Sequence, residues 1–139
     1  MNANILFPLA TIALLIGGIA DNAFSAPEQE QDYQGIRYAC AGVSEESRGD
    51  PRWQHYPAKF VFAASGGDYL GDVTVTVGKV MGGTLFEAHC QSPWMLVDLP
   101  PGQYRVDAVA KQSHRQSFSF AVGGSGQTER VVRFPDITS

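Results

Sequence analysis

Basic residues are scarce and scattered: ten Lys and Arg stand against fourteen Asp and Glu, and none precedes Arg37. So even a balance leaves no positive stripe to grip nucleic acid or an anionic lipid surface. Metal-ligating residues are few as well, with three His and two Cys in 139 residues. A blue-copper site takes a Cys, then a His, then a Met within one loop, whereas Cys90 is followed by Met95 with no His between. Cofactor and metal sites are therefore not expected. Amphipathic helical periodicity is also missing, since no long segment after Gly35 repeats apolar residues at three and four.

One apolar run is present. Ile5 to Ala20 is uncharged and is followed by small residues in "DNAFSAP", the pattern of a secretory leader and its cleavage site. Pro8, Gly17 and Gly18 interrupt the run, and it falls short of the roughly 20 residues a spanning helix needs. Residues 1–25 are read as a cleaved signal peptide, with cleavage after Ser25 or, alternatively, after Ala20. The expected location is the periplasm or the secreted space, with no membrane span after cleavage.

Export would place Cys40 and Cys90, the only two cysteines, in an oxidising compartment. An even count there reads as one disulfide; two buried thiols packed as small hydrophobes are the alternative. A Cys–His nucleophilic pair would need a free thiolate with a base turned toward it, and no residue pattern supplies one.

Residues 26–34, "APEQEQDYQ", are polar without apolar periodicity and read as a flexible lead-in. "GIRYACAG" then offers a strand with Ile36, Tyr38 and Cys40 on one face. Ser44 could cap one helical turn that carries Glu45 and Glu46 at its positive end, with Gly49, Asp50 and Pro51 stopping it. Adjacent Glu45 and Glu46 are poorly placed to act as acid and base on one bond, and read as a solvated turn.

Beyond Ala58 the chain reads as extended. "AKFVFAA" suits a buried strand, and "DVTVTV" alternates with Val73, Val75 and Val77 on one face. "TLFEAHC", "WMLVDL", "QYRVDAVA", "SFSFAV" and "TERVVRF" follow, separated by Gly, Ser and Pro punctuation. Gly123–Gly126 is read as a hairpin loop, not a phosphate cradle, because a strand follows it and no helix end is on offer. Short strands with turn signals every ten to twenty residues predict an all-β fold. We expect an antiparallel Greek-key β-sandwich of about seven strands over residues 35–135, a tail at 136–139, and at most one short helical turn.

The sharpest local signal is "DLPPGQYRVDAVA". Pro100 and Pro101 fix φ and donate no hydrogen bond, and Gly102 lets the chain reverse. Leu99 before this corner and Tyr104 after it should both point into the core and pin the register.

At these residues the sequence resembles the carboxypeptidase-regulatory-like, transthyretin-like β-sandwich domains, whose later half reads L-P-x-G-x-Y-x-V-x-A. It also resembles small exported bacterial proteins with such a domain that open with a Tyr, two glycines and an acidic pair. Here that opening is "YACAGVSEES", with Ala41 at one glycine position and Ser44 before the acids. The resemblance spans about Gly35 to Phe134 and implies a seven- or eight-stranded, non-catalytic domain of accessory or unknown role. Catalytic signatures of neighbouring families are missing. A zinc carboxypeptidase pairs a His with a Glu three residues on, and here Ala58, Ser92 and Ser117 take those places. The Tyr-Arg-Gly-Ser ending of transthyretin-like hydrolases is replaced by "RFPDITS".

Trp53, His55 and Tyr56 lie in the irregular stretch before the first long strand, where side chains can be exposed, and are the candidate binding surface. A ring closing one open end of the sandwich is the competing reading of Trp53. Trp94, Tyr104, Phe118 and Phe120 read as core. The expected function is a non-catalytic binding or accessory module that contacts another envelope or secreted protein. A carbohydrate-binding module using the loop aromatics and a periplasmic metal-binding protein are the alternatives.

Overall fold

The computed structural model describes residues 28–138, which fold into nine strands and two short helical turns. The expected leader lies outside the described residues. The strands are β1 (Glu30–Tyr33), β2 (Ile36–Ala41), β3 (Ala58–Ala64), β4 (Val73–Lys79), β5 (Thr84–Cys90), β6 (Trp94–Val97), β7 (Gly102–Ala110), β8 (His114–Val122) and β9 (Thr128–Phe134). They form a five-stranded sheet in the order β1-β2-β6-β3-β9 and a four-stranded sheet in the order β5-β4-β7-β8. All pairs are antiparallel except β3 with β9, which run parallel from Ala58↔Thr128 to Ala64↔Phe134.

Period-two alternation decides what each strand buries. Val73, Val75 and Val77 of β4 are fully buried while Thr74 and Thr76 between them are half-exposed. On β7, Tyr104, Val106, Ala108 and Ala110 are buried, and Arg105 is exposed. These residues meet Phe60, Phe62, Met95 and Phe134 from the other sheet in one core. Phe60 packs tilted on Phe120 with ring centroids 4.9 Å apart. Phe118, expected in the core, is half-buried at its margin, with the Arg130 guanidinium over its ring.

β6 and most of β3 are buried on both faces, as their continuous apolar runs require. The cause is a second, smaller core on the outer face of the five-stranded sheet. Ala39, Ala41, Val61, Trp94 and Leu96 lie there beneath Trp53 and Tyr56.

Those two rings arrive on a pair of short turns. Ser44 caps α1 (Glu45–Arg48) by accepting from the Ser47 amide, and Gly49 ends it. Asp50 then caps a 3₁₀ turn over Pro51–His55, with Pro51 at its first position where no amide is needed. Sequence reading left this second turn irregular; it is helical because the Asp-Pro pair both caps and pre-sets it.

The disulfide joins Cys40 of β2 to Cys90 of β5, so it ties one sheet to the other across 50 positions of chain. Three expectations need correction. The flexible lead-in at 26–34 contains β1, an acidic edge strand paired with β2 whose Tyr33 packs edge-on against Phe86. The tail at 136–139 contains Ile137, which is 9% exposed, packs into the main core, and accepts from the Ser65 amide. Gly123–Gly126 is not a hairpin loop: β8 and β9 belong to different sheets, and the loop carries the chain between them.

Candidate binding cleft at one end of the sandwich

Register places several connections at one end of the molecule. Asp98 donates its amide to Arg37, Gly102 pairs with Val122, and Thr128 donates its amide to Pro57. The Asp98–Gly102 corner, the Gly123–Gly126 crossover and the end of the 3₁₀ turn therefore converge.

Two adjoining recesses open between them. The smaller, of about 80 Å³, is lined by Glu30, Arg37, His55, Tyr56 and Asp98. The larger, of about 260 Å³, runs past His55, Pro57 and Asp98 between the Leu99–Pro101 wall and the Gly123–Gly126 loop. His55 and Asp98 line both, so the two form one open cleft.

The walls are fastened. The Tyr56 hydroxyl donates to Glu30 at 2.5 Å, which ties β1 to the 3₁₀ turn. Burial first, and then this hydrogen bond, push the Tyr56 hydroxyl well above an ordinary tyrosine. Gln127 Nε2 donates to the carbonyls of both Trp53 and Tyr56, at 2.6 and 3.0 Å, anchoring the crossover loop. The Tyr104 hydroxyl donates to the Pro100 carbonyl at 2.5 Å and holds the proline wall. Beside the cleft, Arg52 pairs with Asp50 at 2.7 Å and lies over the Trp53 ring at 4.4 Å; that hydrogen bonding holds the Asp50 carboxyl below its usual range.

Of the three residues expected to form an exposed aromatic surface, only His55 is exposed. Trp53 and Tyr56 are 2% and 4% exposed, with Trp53 Nε1 donating to the Ser47 carbonyl. Neither ring has a free face for a sugar, because both were needed to cover the outer face of the sheet. Trp53 does not close an open end of the sandwich either. Pro100, Pro101 and Gly102 lie at the corner that Tyr104 closes through its bond to the Pro100 carbonyl, and the two prolines also line the cleft.

Sequence reasoning missed Glu30, Arg37 and Asp98. The alternation of β2 turns Arg37 outward, opposite to Ile36 and Tyr38, but nothing local brings it to Asp98; strand pairing does.

Chemically the cleft is mixed. Ser125, His55 and Asp98 are the residue types of a nucleophile, a base and an orienting acid, yet no hydrogen bond joins any two of them among the described residues. A nucleophile is activated through such bonds, and here they are missing in a cleft open to water. Both thiols are consumed by the disulfide. Among the described residues, no three His, Cys, Asp or Glu side chains gather as a metal-binding set, and no helix is long and apolar enough to cross a membrane. No protein-family model matches the chain, and no curated protein matches it in sequence.

Proposed function

We propose that this chain is an exported, non-catalytic binding module of the carboxypeptidase-regulatory-like, transthyretin-like kind, which contacts another envelope or secreted protein through the cleft end of its sandwich. The observation that carries this reading is the gathering in one cleft of three ionisable side chains without partners, beside a Glu30 that is already bonded to Tyr56. Arg37, His55 and Asp98 make no side-chain hydrogen bond or ion pair among the described residues. Elsewhere Asp50 pairs with Arg52, Lys59 with Glu129, Asp72 with His89 and Asp107 with Arg115; among the described residues Lys79, Glu87 and Lys111 stand unpaired as well, and what sets the cleft's three apart is that they line adjoining recesses. Ionisable groups left free on fastened walls are available to a partner without prior rearrangement. The disulfide and the apolar leader support export.

A photo-crosslinking amino acid placed at Ser125, on the cleft loop, tests the reading in the producing cell. The same group at Ser113, on the turn between β7 and β8 at the far end, is the control. Adducts with another envelope protein from position 125 and none from 113 are expected. Equal adducts from both positions, or none from 125, would overturn the proposal.

A further inference from the structure

The cleft differs from side to side in what it offers a ligand. On one wall Pro100 and Pro101 present ring carbons and no N–H, and the Pro100 carbonyl is already taken by Tyr104. On the other wall the amides of Gly124, Ser125 and Gly126 have no backbone acceptor among the described residues, while Thr128, just beyond, is bound to Pro57. Buried Leu99 lines the larger recess, and buried Tyr56 with Glu30 and Asp98 lines the smaller one. The cleft is thus bounded by a loop with unbonded amides along one side, an apolar proline surface along the other, and two carboxylates beyond.

This pattern is the complement of an extended polypeptide. A strand-like segment turns every second carbonyl to one edge and projects its side chains alternately above and below, so those carbonyls can accept from the crossover loop while an apolar side chain packs on the prolines. A sugar would need exposed ring faces, which Trp53 and Tyr56 do not supply. In the smaller recess Arg37 is the one fixed cation facing Glu30 and Asp98, and the field reaching the neighbouring Arg52 from Glu30 and Glu28 is negative.

Building on the binding reading above, we infer that the cleft takes a short extended segment of the partner protein, with a Lys or Arg side chain seated between Glu30 and Asp98. This is a peptide-recognition device of the kind in which main-chain bonds supply affinity and one pocket supplies the choice of side chain.

The test is a nitrogen-edited NMR titration of the exported protein with three blocked tetrapeptides, acetyl-Gly-Xaa-Val-Gly-amide, where Xaa is Lys, Glu or norleucine. The Lys peptide is expected to shift the amides of His55, Asp98 and Gly124–Gly126 saturably. Asp98→Asn should weaken it by about fivefold or more, as the loss of one charge-assisted bond implies, with an unchanged spectrum elsewhere. Gln112→Ala, at the far end, should leave binding as it was. A Glu or norleucine peptide that binds as well as the Lys peptide, or shifts that map outside the cleft, would overturn the inference. So would no response to any peptide. If crosslinks from position 125 persist in that last case, the module binds a folded surface and only the peptide inference falls.

Discussion

Tyr104 and Pro100 face each other across the corner before β7, and the Tyr104 hydroxyl donates to the Pro100 carbonyl oxygen at 2.5 Å. The ring is 3% exposed and packs in the main core, so one side chain both fills the sandwich and closes the turn. Tyr104→Phe keeps the ring and removes the bond, leaving the Pro100 carbonyl to water. We expect a loss of about 1 kcal/mol, read in urea as a lower midpoint at unchanged slope. An unchanged midpoint would mean that packing alone holds the corner.

Alkali should separate Tyr56 and Tyr104 from ordinary tyrosines. Burial raises both hydroxyls, and the Glu30 hydrogen bond adds to the effect at Tyr56. The raised folded value means that the native state holds these protons after the unfolded chain has lost them. Their stabilising contribution is complete below about pH 10 and is lost as pH climbs from there through the folded values. Phenolate absorbance should therefore show a late phase that shrinks in Tyr56→Phe and in Tyr104→Phe. Stability measured from pH 9 upward should fall less steeply in each variant than in the parent. Loss of the late phase in neither variant would contradict the burial of these hydroxyls.

The strands were legible because alternation is local: Val73, Val75 and Val77, or Tyr104, Val106 and Ala108, declare their face within six residues. The corner was legible because Pro and Gly act on their own backbone. What the sequence hid is non-local. Glu30–Tyr33 has no apolar pattern and becomes a strand only because β2 offers it an edge. Trp53 and Tyr56 resemble exposed loop aromatics until Ala39, Ala41, Val61 and Leu96 are seen to need covering. The cleft is assembled from residues as distant as Arg37 and Ser125, and the assignment of β8 and β9 to opposite sheets creates it.

The small outer core makes its own prediction. Gly42 has φ +92°, and a Cβ there would lie 2.6 Å from the Trp94 ring. Lys59 Nζ sits 3.4 Å from the centroid of the same ring, while Trp94 Nε1 is buried without a hydrogen-bond partner. Gly42→Ala therefore strains the backbone and displaces the indole together, and should cost roughly 2 kcal/mol or more. Both tryptophans are buried, so the parent should emit at short wavelength and resist iodide quenching. In Gly42→Ala the emission should shift red as Trp94 is pushed toward water. Efficient quenching of the parent would refute the second core.

Trp53→Ala separates this packing role from a binding role. Truncating an indole that is 2% exposed removes the cover from Val61, Trp94 and Leu96 and should cost about 3–5 kcal/mol. His55→Ala, two residues on, removes an exposed side chain and should change stability by less than about 0.5 kcal/mol. Thermal melts of the two variants should thus differ sharply. Similar melts would return Trp53 to the surface.

The last prediction concerns the bond between the sheets. In the chain-entropy account a disulfide spanning 50 residues stabilises by about 4 kcal/mol, against the roughly 5–15 kcal/mol that hold a small domain. The Cys40→Ala, Cys90→Ala double variant should therefore fold but melt well below the parent. Where the loss appears first follows from topology. β5 is an edge strand held to its sheet by β4 alone, and β1 and β2 form the facing edge of the other sheet. Without the staple these edges have only side-chain packing, such as Tyr33 and Tyr38 against Phe86, to keep them together. Amide exchange should quicken in β1, β2 and β5 while the β3–β9 ladder, seven pairs long and remote from the bond, stays protected. Uniform acceleration across both sheets would mean that the loss acts through global unfolding alone, with no local loosening of the edges, and an unchanged melting temperature would contradict the cross-link's stabilising role.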